Sequence, residues 1–184
     1  RAPRFMAKES LFRVPVLGAA LRATGMVPVA RGGSASGARD TIRASEDLVE
    51  HGRGVIVYPE GSLTRDPDMW PMRGKTGAVR LALSTGHEIP VIPMAHWGAQ
   101  EIMPRYGKLR LWPLRRRVRV VLGPPADLSA YRADVGQPTA LAGATSVVMD
   151  RITALLEQLR GEKAPAERWN PSVHGQSETG RLEP

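Results

Sequence analysis

Apolar positions recur along the chain at helical spacing in some stretches and as short continuous runs in others. Residues 7–23 place Leu11, Val14, Leu17, Ala20 and Leu21 near helical spacing, with Lys8, Arg13 and Arg22 among the polar positions; this pattern predicts an amphipathic helix, made irregular by Pro15. Its apolar face suits either the domain's own core or an anionic membrane surface. Met26 to Ala30 predicts a short strand ended by Arg31-Gly32-Gly33. Ser34 or Ser36 then caps an expected helix through Ile42, Leu48 and Val49, closed by Gly52. Gly54 to Tyr58 is a β-branched run stopped by Pro59, the pattern of a strand buried on both faces.

The alternation continues downstream. A helix is expected over Gly74 to Thr85, with Val79, Leu81 and Leu83 and a terminal Gly86. Pro90 to Ala95 predicts a second buried strand. Lys108 to Trp112 and Arg117 to Leu122 alternate basic and apolar residues, as strands with one wet face do. Leu141 to Arg160 predicts a long helix with Val148, Ile152, Leu155 and Leu159 on one side. Residues 161–184 hold no apolar cluster and read as a disordered tail. Strands alternating with helices predict an α/β fold with a mixed, largely parallel sheet flanked by helices.

Composition narrows the chemistry. The chain has 184 residues, 42% hydrophobic and 24% charged, which fits one globular domain with a real core. It has no Cys, which excludes a disulfide scaffold, a Cys-ligated zinc site and a Cys nucleophile. No run of apolar residues reaches the ~18 that a membrane-crossing helix needs; the nearest, Val14 to Ala30, is interrupted by Arg22.

The net charge of +8 is concentrated. Residues 1–39 carry a net +6 and residues 102–126 a net +7, while 40–101 and 127–184 are net acidic. Focused basic surfaces attract phosphates on lipids, metabolites or nucleic acids. Aromatic residues are only 5% of the chain, and Arg115-Arg116-Arg117 has just Trp112 near it, so no stacking platform for bases is present and no nucleic-acid partner is expected.

Ligands of α/β sheets sit beyond the carboxyl ends of strands. The strand at Met26–Ala30 delivers Arg31, and the strand at 54–58 delivers Pro59-Glu60-Gly61-Ser62, then Thr64 and Arg65. Arg73, Gly74, Lys75, Thr76 and Gly77 open the following helix, so free amides and two cations make a candidate phosphate cradle. A structural Glu–Arg pair with a Gly-rich turn is the other reading. Thr64 stands where a nucleophile elbow needs Gly, and Lys75-Thr76 lacks the P-loop spacing. His51, His87, His96 and His174 show no metal-ligand spacing, so neither a metal nor a resident cofactor is expected.

These residues resemble the 1-acylglycerol-3-phosphate (lysophosphatidate) acyltransferases, a family of glycerolipid acyltransferases. Gly25 to Arg31 is similar to the family's second motif, a strand ending in a substrate-binding Arg. Tyr58-Pro59-Glu60-Gly61-Ser62 resembles its third motif, Lys75 and Gly77 the Lys-x-Gly step, and Ile89 to Met94 its fourth motif. The resemblance runs from about Ala7 to about Leu122. It implies a glycerolipid acyltransferase-like fold over residues 1–160, incomplete at its N-terminus.

The implied reaction moves a fatty acyl group from acyl-CoA or acyl carrier protein to 1-acylglycerol-3-phosphate, giving phosphatidic acid. Arg31, Arg65 and Lys75 are implied to hold the acceptor phosphate, and Glu60 and Gly61 to shape the glycerol pocket, with Ser62 and Gly77 beside them. Membrane-partitioning substrates imply peripheral attachment to the cytoplasmic face of the cell membrane, through segments 1–39 and 102–126. Two departures stand out. Leu63 occupies the place of the usual Arg after Glu60, with Arg65 two residues later. The first motif, Asn-His-x-x-x-x-Asp, whose His is the general base, has no counterpart here; it is expected upstream of Arg1, and the chain as it stands is expected to turn over negligibly. A non-catalytic lipid-phosphate binding relative and a basic nucleic-acid-binding domain are the alternatives.

Overall fold

The computed structural model describes residues 4–29, 51–52, 54–84, 88–110, 112 and 115–177. They fall into two compact units: Arg1–Val57 with Ser84–Ile89, and Tyr58–Leu83 with Pro90–Pro184.

The first unit carries a three-stranded parallel sheet in the order β2-β1-β3, with β1 at Arg4–Lys8, β2 at Val27–Val29 and β3 at Val55–Ile56. Met6 pairs with Val27 and Arg4 with Val55. The expected single helix over 7–23 is instead the end of β1, a 3-10 turn over Glu9–Arg13, and helix α1 over Pro15–Ala23. Pro15 explains the break. It has no N–H to donate and its ring excludes the helical carbonyl before it, so it starts a helix rather than continuing one.

Helix α1 folds back closely on the turn: a Cβ on Gly18 would lie 2.1 Å from the Phe12 carbonyl oxygen. Gly18 is also the helix's one buried residue; Val16 is 84% exposed, and Leu11, Val14 and Leu17 are exposed as well. The apolar face read from the sequence is therefore open to solvent. The strand expected over 54–58 shortens to Val55–Ile56, and both residues are only half-buried, not buried on two faces. Among the described residues β3 pairs with β1 alone and so lies at the edge of the sheet. The helix expected between Ser34 and Gly52, and Arg31 itself, lie outside the described residues apart from His51 and Gly52, which form a turn.

The second unit packs a two-stranded antiparallel sheet on a long helix. β4 spans Met94–Trp97 and β5 Arg119–Leu122, in register Met94↔Leu122 to Trp97↔Arg119. The strand expected from Pro90 begins four residues late because Pro90 and Pro93 cannot donate to a ladder. The two chains still run side by side there, with Gly123 N donating to Pro93 O and Ala126 N to Val91 O. No ladder forms among the described residues of 108–112, where a strand was expected.

Helix α2 spans Gly77–Ser84 and a short helix α3 spans Ala99–Ile102. The long helix, α4, spans Pro138–Arg160, with Pro138 in its first turn and Gly161 at φ 72° closing it. Its Leu141, Ala144 and Val148 pack with Val79, Leu83 and Leu128, and its Leu155 and Leu156 pack with Trp70 and Ala95. Each such buried Leu or Val stabilises the unit by about 1.5–3 kcal/mol. Helix α4 is long and apolar enough to cross a membrane by length and composition, but its apolar residues are those packed in this core.

The described residues after helix α4 are tied to the rest of the second unit. Arg160 lies over the rings of Trp70 and Trp97, 3.9 and 4.5 Å from their centroids, and donates to Asp68 O. Arg168 pairs with Asp150, and Pro171 is buried.

Candidate active site

The site is built by one loop of the second unit, Tyr58 to Thr76. It opens with a turn in which Gly61 N donates to Tyr58 O at 3.0 Å and Gly61 sits at φ 69°, a conformation that favours glycine. It closes on itself where Lys75 N donates to Pro59 O at 2.7 Å. Helix α2 starts at Gly77 rather than Gly74, with Arg80 N donating to Thr76 O at 2.8 Å. The Lys75 side chain lies along Gly61: a Cβ there would be 3.4 Å from Lys75 Cδ and 3.9 Å from Nζ. Gly74 lies against helix α4, with no room for a Cβ beside Met149 and Thr145.

Between these two ends lies a cavity of about 250 Å³. Glu60, Met72 and Pro171 form part of its wall, and Arg73, Gly74, Lys75 and Thr76 the rest. Glu60 Oε2 accepts a hydrogen bond from Met72 N at 3.1 Å. Burial pushes the Glu60 carboxyl up from the usual 4.5 to about 7; the Met72 amide opposes that shift and the Asp66 charge adds to it. Near neutral pH this carboxyl can accept a proton or donate one. Arg73 and Lys75 are exposed cations on the same wall, and Thr76 immediately precedes helix α2, whose first amides carry partial positive charge. A hydrogen-bonding acid beside two cations can hold a small molecule that carries both a hydroxyl and a phosphate.

The structure brings together Glu60, Gly61 and Lys75 among the residues singled out from sequence. Of the other described ones it does not bring in Ser62, Arg65 or Gly77, and Arg31 lies outside the described residues. Arg65 is 2% exposed, its Nη1 3.4 Å from the Tyr106 hydroxyl, and it is absent from the cavity wall. The exposed cation beside Lys75 is Arg73. Ser62 Oγ donates to Leu63 O, and Gly77 borders open space; neither lines the cavity. His96 is exposed and meets Tyr58 edge-on at 6.4 Å between ring centroids. Among the described residues no group of three or more His, Asp or Glu could hold a metal ion. Sequence reasoning missed Met72 and Pro171. Met72 contributes a backbone amide, which no residue type advertises. Pro171 sits in the Trp169-Asn170-Pro171 step, beyond the last element the sequence predicts.

The family model described as Acyltransferase matches residues 1–97. The chain belongs to the acyltransferase family. This acyltransferase-family chain is 35% identical over 101 residues to the chloroplastic 1-acyl-sn-glycerol-3-phosphate acyltransferase BAT2 of Brassica napus, covering 55% of the chain and 28% of that relative. It is 31% identical over 101 residues to the chloroplastic LPAT1 enzyme of the same name from Arabidopsis thaliana, covering 55% and 27%. A 1-acyl-sn-glycerol-3-phosphate acyltransferase of Borreliella burgdorferi is 32% identical over 84 residues, covering 46% and 32%. The match thus spans about a third or less of each relative's length. No solved structure matches the chain. The family match contains Glu60, Gly61, Lys75 and Gly77 and ends well before Pro171.

Proposed function

We propose that the protein is a 1-acylglycerol-3-phosphate acyltransferase with a glycerolipid acyltransferase fold, taking its acyl group from acyl-CoA or acyl carrier protein. The observation that carries this reading is the cavity that sets the buried Glu60 carboxyl beside Lys75 and Arg73. The names of the relatives support the substrate class. Lys75 and Arg73 hold the acceptor phosphate, and Glu60 hydrogen-bonds the glycerol.

The acceptor hydroxyl oxygen attacks the thioester carbonyl carbon, the carbon–sulfur bond breaks, and the hydroxyl proton passes through a general base to the departing thiolate. The products are phosphatidic acid and the free thiol. In this reading the base is the His of an Asn-His-x-x-x-x-Asp motif, which these 184 residues do not contain. No metal or bound cofactor takes part.

The basic segment 102–126 is a membrane-facing surface at the cytoplasmic face of the cell membrane. Trp112 is 79% and Leu122 63% exposed, with Arg115, Arg117 and Arg119 exposed among them. Such a mixture favours an anionic lipid interface. Retention on anionic vesicles at low salt and release at high salt is expected; no binding at low salt overturns this part.

Activity is tested on a chain that carries the His-x4-Asp motif. Glu60→Ala is expected to lower acyl transfer about 100-fold or more without unfolding the protein. An unaffected rate overturns the assignment of Glu60. The 184-residue chain alone is expected to be inactive, and normal turnover by it overturns the placement of the base.

A further inference from the structure

The cavity wall that lies outside the family match comes from the end of the chain. Pro171 is buried and lines the cavity, and the neighbouring Trp169 carbonyl accepts a hydrogen bond from Arg73 N at 3.1 Å. The segment is a compact buckle. His174 N and Gln176 N both donate to Pro171 O, at 3.1 and 2.9 Å, and Val173 N donates to Asn170 O. The Trp169 and His174 rings stack at 3.7 Å between centroids and 9° between planes, and Trp169 Nε1 donates to Gln176 Oε1 at 3.0 Å. Its approach is pinned to helix α4 by the Arg168–Asp150 pair and by Ala164 N donating to Glu157 Oε1.

A backbone bond to Arg73 and a buried proline in the wall tie the buckle to the side of the cavity that carries the cations. At about 250 Å³ the space is smaller than the ~300–1,000 Å³ of pockets that enclose drug-sized ligands. A ligand phosphate against Arg73 and Lys75 would meet this wall on the side that Pro171 builds.

We infer that the buckle Arg168–Gln176 is a specificity element: it closes the cavity beside Arg73 so that a phosphomonoester enters and a phosphodiester with a bulky headgroup does not. This rests on the reading of the cavity as the acceptor site. Trp169 and Pro171 are positioning residues here, acting through the wall they build and not through any reacting atom.

The test is calorimetric binding of glycerol 3-phosphate and of glycerophosphocholine to the 184-residue chain and to Trp169→Ala and Pro171→Ala. Pro171→Ala trims the wall while leaving the carbonyl that the turn uses, and it decides alone should Trp169→Ala unfold. The native chain is expected to bind the monoester and exclude the diester. In the variants the preference is expected to fall about tenfold, through gained binding of the diester and with monoester binding retained. A native chain that binds neither probe overturns the acceptor-site reading and this inference with it. A native chain that binds the monoester selectively, with variants that keep its full preference, overturns this inference alone.

Discussion

The loop Tyr58–Thr76 contains two stretches of opposite character. Its middle, Thr64 to Trp70, is a closed network. Asp66 Oδ1 accepts from Asp68 N and Trp70 N at 2.8 and 3.2 Å, Thr64 Oγ1 donates to Trp70 O at 2.7 Å, and Arg105 donates to both Thr64 O and Asp66 O at 2.7 Å. It holds Met69 at φ 62°, a left-handed conformation that costs a side-chain-bearing residue about 1–2 kcal/mol. At its ends Glu60 and residues 72–76 instead line a cavity, and the Glu60 carboxyl there accepts one amide from Met72. Two carboxylates six residues apart thus serve different purposes. Asp66 organises backbone, while Glu60 faces a space that a ligand can enter.

The largest effects break or uphold that contrast directly. Asp66→Ala leaves the buried Trp70 amide and the Asp68 amide without their acceptor and is expected to destabilise the protein by about 2–5 kcal/mol. Glu60→Gln, which keeps a hydrogen-bonding oxygen, is expected to leave stability at pH 5 within about 1 kcal/mol of native. Urea unfolding measures both, and equal losses would erase the distinction.

The pH dependence comes next. The folded pKa of Glu60 is raised from 4.5 to about 7, so its carboxyl favours the fold when protonated. That advantage is fully present below about pH 4.5 and is lost as the pH rises through 7, a swing of about 3 kcal/mol in full. Unfolding free energies between pH 5 and 8 are expected to fall more in the native chain than in Glu60→Gln. Parallel curves would show that Glu60 does not titrate in this range.

Two glycines sharpen the boundary further. Gly61→Ala places a Cβ at φ 69° against Lys75 and is expected to cost about 1–2 kcal/mol. Gly77→Ala faces open space at the start of helix α2 and is expected to gain up to about 1 kcal/mol. Thermal melts that shift both in one direction would contradict the geometry. The smallest effect belongs to Arg73→Ala, whose exposed side chain is expected to change stability by less than about 0.5 kcal/mol while weakening binding of glycerol 3-phosphate; a large drop in melting temperature would place its guanidinium in the network instead.

Much of the helical content was legible, because the apolar spacing of Leu141 to Leu159 names a buried face whatever that face meets. Strand ends were less legible. Pro15, Pro90 and Pro93 shifted element starts by removing amide donors, and the edge position of β3 left half-buried a run that reads as fully buried. Arg65 shows the limit for site residues: the sequence places a cation two residues past the motif, and only the packing of Tyr106 and the neighbouring Arg105 network decides that it points inward.

The sequence by itself determined the alternation of strands and helices, the family, and the pairing of Glu60 with Lys75, because those depend on residue type and short spacing. Only the tertiary structure decided that Arg73 rather than Arg65 faces the cavity, that a backbone amide holds Glu60, and that Pro171 completes the wall. Those outcomes depend on contacts between residues tens of positions apart, which spacing along a chain does not encode.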